Sequence, residues 1–577
     1  MIDRRTLLAH GVAFSGAALI APIAPGWAES GSAGFTPDMP TLSGEDIALR
    51  IENSSFTVGG RIRRAVTING TLPAPLIRLR QGQNVRISVT NVLTEDTSIH
   101  WHGVLVPFQF DGVPGVSFPG IRPGETFVYE FPILHAGTFW YHSHSGLQEQ
   151  LGHYGPLIFD PEGDDPVAFD REYVLMLSDW TFMNPHKVLR RLKQESDFFN
   201  RQQLTLRGLL TSGNPEERPT FRERLMWAKM RMDPTDISDV TAFTYTYLIN
   251  GKGPEENWLG LYRPGERIRL RIINASAMTV FNFRIPGLRM TMVQADGNNI
   301  RPVVVDEFQI AVAETYDVLV EPVDGSAYSI VAEAVDRSGL ASAILAPRPG
   351  MTAEEPLLRP RPTLGMADMG MTEMSSMEGM DHGAANHGAM NMNMRDPKNA
   401  SADMKVGVGV DMISPNPQDR TDHPGLGLTE VAHKVLTYRD LVALDPNPDP
   451  RPPSRTLEIH LTGNMERFMW SFDGSKFSEI VEPIRLARNE RVRVTLINDT
   501  MMQHPIHLHG HFFEIVNGNP GYHPMKHTVN VLPGSRVTFD LTADNPGDWA
   551  LHCHLLLHMH AGMFNVVTVR PLDGDAT

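Results

Sequence analysis

Val492-Arg493-Val494-Thr495-Leu496-Ile497-Asn498 alternates apolar and polar side chains before ending at an asparagine. Successive strand residues point to opposite sides, so the pattern predicts a strand with one buried face. A glycine-punctuated strand, Trp470-Ser471-Phe472-Asp473-Gly474, precedes it. The same pair of elements occurs twice more. Val66-Thr67-Ile68-Asn69-Gly70 precedes Val85-Arg86-Ile87-Ser88-Val89-Thr90-Asn91, and Tyr247-Leu248-Ile249-Asn250-Gly251 precedes Ile268-Arg269-Leu270-Arg271-Ile272-Ile273-Asn274. Repetition at this spacing implies related sheet domains, near residues 42–165, 166–350 and 430–570. Short strands joined by turns, with 49 glycines and 44 prolines, indicate an all-β chain of antiparallel sandwiches or barrels. Helix is expected to be minor, with one candidate between Val188 and Leu210.

A second element repeats in the outer units. Pro123-Gly124-Glu125 begins a run ending at His142-Ser143-His144, and Pro533-Gly534-Ser535 begins one of identical length ending at His552-Cys553-His554. His100 follows Asn91 by nine residues, as His507 follows Asn498. The outer units therefore carry histidine pairs at equivalent places. In the middle unit the corresponding slots hold Phe283 and Ile285, which makes it a spacer by this reading.

Four segments then stand out: His100-Trp101-His102-Gly103, His142-Ser143-His144, His504-Pro505-Ile506-His507-Leu508-His509-Gly510, and His552-Cys553-His554 continuing to His558 and Met563. With 23 histidines in 577 residues, about one His-x-His pair is expected by chance, so a single pair carries no information. Four segments on matching strand ends do. Residues i and i+2 of a strand share a side, so each pair offers two imidazoles to one cavity. Two pairs from each outer unit would give eight ligands, suited to three coppers with positions left open for dioxygen. Cys553, the chain's one cysteine, points away from its flanking histidines and can meet His504, His558 and Met563. Two imidazoles, a thiolate and a weak axial thioether form the ligand set of a blue electron-transfer copper. Ser143 takes the matching place in the first unit, which should lack such a site.

These segments resemble the multicopper oxidase family, and the chain looks like its periplasmic copper-resistance branch. The resemblance implies three cupredoxin-like Greek-key domains, with a trinuclear cluster between the first and third. It implies four copper ions: one type 1 at His504, Cys553, His558 and Met563, one type 2 at His100 and His507, and two type 3. The type 3 pair would use His102, His142, His144, His509, His552 and His554. Asp111, in Phe110-Asp111-Gly112, resembles the family acid near the type 2 copper and is expected to relay protons, although Asp-Gly is also a common turn pair. Met559 and His560 stand where many relatives carry acids, which leaves His560 as a second relay candidate.

Residues 351–429 change composition. The proline-rich ends enclose Met366, Met369, Met371, Met374, Met377, Met380, Met390, Met392 and Met394, with His382 and His387. Little periodicity exists there, which predicts a mobile loop. Thioethers are soft ligands suited to capturing Cu(I). The Met-rich stretch, the phrase Met465-Glu466-Arg467-Phe468 and the N-terminus all favour the copper-resistance branch. At that N-terminus Arg4-Arg5 leads into an apolar run and then Gly26-Trp27-Ala28, resembling a twin-arginine signal over residues 1–28. Recognition by the twin-arginine export machinery, a periplasmic location and no stable membrane insertion after processing are expected. The formal net charge of -16 argues against nucleic-acid binding, which needs a basic surface.

The expected reaction takes electrons singly from Cu(I) or another small reductant and reduces dioxygen to water. A laccase-like phenol oxidase would share the same copper chemistry. A copper-sequestering protein would use the Met-rich stretch without turnover.

Overall fold

The computed structural model describes residues 39–201, 227, 233–365, 368, 397–402 and 404–572. The signal-like segment 1–28 and the methionines and histidines between Met366 and Met394 lie outside the described residues.

Each repeated strand occupies the same place in its own sheet. Asn84–Asn91 runs parallel to Asp46–Val58 and antiparallel to Thr126–Pro132. Ile268–Asn274 runs parallel to Arg171–Thr181 and antiparallel to Thr315–Val320. Arg491–Asn498 runs parallel to Arg455–Asn464 and antiparallel to Ser535–Thr542. Around these strands the chain forms tandem cupredoxin-like sandwiches. Among the described residues, sheets of four and five strands make the first, six and five the second, seven and five the third. The apolar faces of each pair close over the core, as sheet-on-sheet packing requires.

The terminal asparagine of the repeat has a structural purpose that strand periodicity does not reveal. Asn91 Nδ2 donates to Glu95 O and Ile121 O, while its Oδ1 accepts from Leu93 N. Asn274 clasps Thr279 O, Ile310 O and Ser276 N in the same way, and Asn498 clasps Met502 O, Val531 O and Thr500 N. Each side-chain amide mimics a backbone turn and fixes how the following loop leaves the sheet. In the outer units that loop leads to His100 and His507.

The middle repeat departs from the half-buried expectation. All of Ile268–Asn274 is buried, including Arg269 and Arg271. The first unit covers this outer face. Arg271 Nη1 donates to Thr138 Oγ1 at 2.8 Å, and its Nε pairs with Glu172 Oε2 at 2.8 Å. Arg269 Nε donates to Asp317 Oδ2 at 2.8 Å. The alternation therefore marks a buried face whose guanidinium groups pair with carboxylates of their own unit, while Arg78 of the first unit reaches Glu172 across the junction.

The candidate helix forms over Pro185–Gln194, with Asn184 accepting from His186 N as its N-cap, and stops there, residues 195–201 being non-helical. Residues 202–210 of that candidate lie outside the described residues. The flanks of the Met-rich segment are held, contrary to the mobile loop expected of 351–429. Arg359 Nη1 pairs with Glu307 Oε2 at 2.9 Å, and His433 Nε2 meets the same oxygen at 2.7 Å. Farther along, Ser414 N donates to Asp499 Oδ1, and Gln418–Asp419 adds a short parallel strand beside Ser535 and Arg536. Composition missed this order because the partners lie in distant sandwiches.

Candidate metal centre

The histidine pairs sit where strands of one sheet face each other. His100–His102 runs antiparallel to Gly137–His142, with His100 opposite His142. In the third unit His507 lies opposite His552 and Ile506 opposite Cys553. The two units then face each other ring to ring. His100 stacks on His509 and His102 on His507, each with centroids 3.8 Å apart. His142 lies 5.0 Å from His554, and His144 lies 5.1 Å from His552.

Several ligand sets follow. Nitrogens of His102, His142 and His554 lie within 4.8 Å of one another, as do those of His144, His509 and His552 and of His100, His507 and His509. Inner nitrogens of this cluster are buried without hydrogen-bond partners: Nε2 of His100, His142, His144 and His507, and both ring nitrogens of His102 and His554. Orphaned buried acceptors on this scale are costly, and metal coordination satisfies them. Burial drives His102, His142, His144, His507, His509 and His554 well below the ordinary imidazole range, and neighbouring imidazoles add to the effect. His552 is brought down to about 4, again mainly by burial. Neutral imidazole is the metal-binding form.

The outer nitrogens are held in place. His100 Nδ1 donates to Asp111 O at 2.7 Å, His507 Nδ1 to His527 O at 2.7 Å, and His552 Nδ1 to Cys553 O at 3.0 Å. His509 Nδ1 donates to Asp111 Oδ2 at 2.9 Å, and His142 Nδ1 faces Glu149 Oε2 at 2.7 Å. With Nδ1–H engaged, Nε2 is left to face the cavity. Asp111 thus sits on two of the histidines. Gly112 beside it has φ +86, so the Asp-Gly pair is a turn as well.

Cys553 faces the other side of its strand, as alternation requires. Its Sγ lies 3.6 Å from His504 Nδ1 and 3.9 Å from His558 Nδ1, and those two nitrogens are 3.2 Å apart. Met563 is fully buried, and its carbonyl accepts from Cys553 N at 3.2 Å. Burial raises the Cys553 thiol far above its ordinary range, so a cation is needed to hold it as thiolate. The two imidazoles have different outer partners. His504 Nε2 meets the neutral Thr500 Oγ1 at 2.8 Å, whereas His558 Nε2 meets the Asp239 carboxylate at 2.7 Å. Trp470 stacks on His558 at 3.9 Å.

His560 sits elsewhere. It is exposed, and its Nε2 donates to Gly146 O at 2.6 Å, across the seam between the outer units. Phe283 and Ile285 are buried at the middle unit's matching slots. That unit is nevertheless more than a spacer, because it contributes Asp239. Asp239, Thr500, Trp470, Glu149 and His527 were not anticipated from the sequence. Glu149 had a signal, since it lies five residues after His144. Asp239 had none, being 319 residues from His558.

Three stretches match the family model described as multicopper oxidase: residues 50–164, 171–349 and 450–573. Copper resistance protein A of Escherichia coli is 47% identical over 569 residues, covering 92% of this chain and 94% of that protein. Multicopper oxidase MmcO of Mycobacterium tuberculosis is 31% identical, covering 97% and 95%. Among solved structures, the laccase from Botrytis aclada superposes with a TM-score of 0.62 at 23% identity, covering 92% of this chain and 88% of that one. The histidine clusters fit multiple copper-binding sites. The chain belongs to the multicopper oxidase family.

Proposed function

We propose that this protein oxidises Cu(I) and reduces dioxygen to water, in copper resistance. The observation that carries this reading is a buried thiol set between two imidazoles, on the opposite side of a strand from a many-histidine cavity. His504, Cys553, His558 and Met563 would hold a type 1 copper. His100 and His507 would hold a type 2 copper, and the sets His102, His142, His554 and His144, His509, His552 a type 3 pair. Bound there, the four coppers would take up single electrons and deliver four of them to dioxygen.

The protein's own groups divide the remaining work. Asp239 accepts from His558 Nε2 and makes that imidazole electron-rich, while burial lifts its own carboxyl to about 7. The Cys553 backbone joins the thiol covalently to His552 and His554. Asp111 Oδ2 accepts from His509 Nδ1, and its buried Oδ1 lies 3.3 Å from His100 Nδ1, whose proton goes to Asp111 O instead. Oδ1 is therefore the atom at which Asp111 would hold and release a proton. His560, tied to Gly146, is a weaker relay candidate.

The Met-rich segment would collect Cu(I) for this site. Leu364 and Met412, on either side of it, share an apolar cluster with Ile237 and Met501. Ile237 is two residues from Asp239 and Met501 three from His504, so the chain at Leu364 and Met412 packs against elements that carry the thiol site. The relative named for copper resistance supports a role in copper resistance. The Arg4-Arg5 segment supports export by the twin-arginine route to the periplasm. No helix among the described residues is long and apolar enough to cross a membrane.

The test is copper-loaded protein assayed for oxygen uptake with Cu(I) and with phenols, beside a variant lacking residues 366–394. Oxygen consumption in step with Cu(I) loss is expected, with the deletion impairing Cu(I) oxidation more than phenol oxidation. Cu(I) binding without oxygen uptake would instead mean sequestration. A clear preference for phenols, with equal effects of the deletion on both donors, would mean a laccase-like enzyme.

A further inference from the structure

Asp296 belongs to the middle sandwich, yet its carboxylate reaches the back of the histidine cluster. It lies in the turn between the strands Met290–Ala295 and Asn298–Val305, at φ +46, and is fully buried. The turn is wedged against the first unit. A Cβ on Gly297 would stand 2.3 Å from the Phe139 ring, and one on Gly137 would stand 2.4 Å from Gly297 O. A strained, buried carboxylate at such a junction is retained only where its surroundings hold it.

Its oxygens have distinct partners. Oδ2 accepts from His527 N at 3.2 Å and from Thr528 N at 3.1 Å. Oδ1 accepts from Thr315 N at 3.1 Å and lies 3.0 Å from Lys526 Nζ. Lys526 is itself fully buried, lies 3.2 Å from Glu314 Oε1, and sits over the Tyr316 ring at 4.9 Å. One carboxylate thus grips three consecutive residues of the third sandwich, 526 to 528.

The far side of that tripeptide touches the cluster. His527 O accepts from His507 Nδ1 at 2.7 Å and from Leu508 N at 3.2 Å. Thr528 Oγ1 lies 3.3 Å from His507 Nδ1. The His527 ring stands against His102, with centroids 4.7 Å apart, and against His507 at 5.4 Å. A carbonyl pinned in this way holds the His507 proton on Nδ1 and leaves Nε2 free as a ligand.

We propose that Asp296 is a positioning residue for the trinuclear cluster, clamping the 526–528 backbone so that the His527 carbonyl fixes the tautomer and orientation of His507. The copper-free middle unit then supports both centres, with Asp239 behind His558 and Asp296 behind His507. This inference rests on the type 2 assignment of His507.

Charge and clamp can be separated in the full-length, copper-loaded protein. Asp296→Asn with Lys526→Met keeps an oxygen able to accept from His527 N and Thr528 N and removes the opposed cation. Asp296→Ala with Lys526→Met is equally charge-balanced but lacks the clamp. Copper content, the type 2 electron paramagnetic resonance signal and the blue absorption are the readouts. The asparagine pair should keep the wild-type type 2 signal. The alanine pair should show an altered hyperfine splitting and about 10–100-fold weaker retention of that copper, with blue absorption unchanged. An unaltered signal and copper content in the alanine pair would overturn the proposal. If the alanine pair yields no folded protein, Asp296→Glu keeps the charge while displacing the acceptor by a methylene, and its type 2 spectrum should shift. An unshifted spectrum, or failure of that variant to fold as well, would reduce Asp296 to a role in assembling the domains. Wild-type protein without a type 2 signal would sink the His507 assignment itself, a separate failure.

Discussion

Asp239 Oδ2 accepts a 2.7 Å hydrogen bond from His558 Nε2 across 319 residues of chain, joining the middle sandwich to the ring that faces the Cys553 thiol. The other imidazole beside that thiol, His504, meets only a hydroxyl, Thr500 Oγ1. This asymmetry makes His558 the electron-rich ring. Asp239→Asn should raise the reduction potential of the copper proposed at Cys553 and slow Cu(I) oxidation by about 10–100-fold. Phenol oxidation, which would draw on the same copper, serves as the second assay. A redox titration of the blue band, run beside both assays, checks this; an unmoved potential with unchanged rates would contradict it.

Cys553→Ser should give a colourless protein that keeps the histidine cluster. The hydroxyl is a poor soft-metal ligand, so the copper beside His504 and His558 should be lost while the type 2 signal persists. Oxygen uptake should fall to near background, because the cluster then has no electron supply. Metal analysis and absorption spectroscopy read this outcome directly.

Gly112 occupies a position that no side chain can share. At φ +86 its backbone suits glycine, and an added Cβ would lie 1.8 Å from Ile99 O. Gly112→Ala must push the turn outward and carry Asp111 away from His509. The copper-free protein should lose about 1–3 kcal/mol in denaturant unfolding, and copper loading of the cluster should fall. Gly124→Ala, at φ +79 with open space around it, supplies a comparison for backbone strain alone.

His460 should make stability depend on alkaline pH. Burial opposes its charge, but Asp499 Oδ2 at 2.6 Å and Glu458 Oε1 at 3.2 Å outweigh that and lift the imidazole to about 9. A pKa raised on folding adds stability that is fully present below the unfolded value, about 6.5, and is lost as pH climbs through the folded one. Denaturant midpoints of copper-free protein should therefore fall as pH rises from about 6.5 to about 9. His460→Gln should flatten that slope. Equal slopes in both proteins would remove His460 as its source.

The repeated strands, the histidine pairs and the lone cysteine could be read from sequence because each depends on local periodicity. Alternation along a strand decides that His552 and His554 share one side and Cys553 takes the other, whatever the rest of the chain does. Equal spacing from Asn91 to His100 and from Asn498 to His507 likewise reflects one local device, the asparagine clasp that launches each loop. The Met-rich segment was legible only as composition, and its flanks read as a loop because Arg359 and Ser414 find their partners far away in sequence.

Sequence alone determined the kinds of donor side chains and which residues share a strand face. Tertiary structure decided which rings meet, stacking His100 on His509 and His102 on His507 from separate sandwiches. It also decided what stands behind those rings: Asp239, Glu149 and the clamp built on Asp296. A strand's pleat is dictated by bonds between neighbours, whereas the partner of a buried nitrogen depends on which distant surfaces pack together. Only the folded chain brings those surfaces within hydrogen-bonding distance.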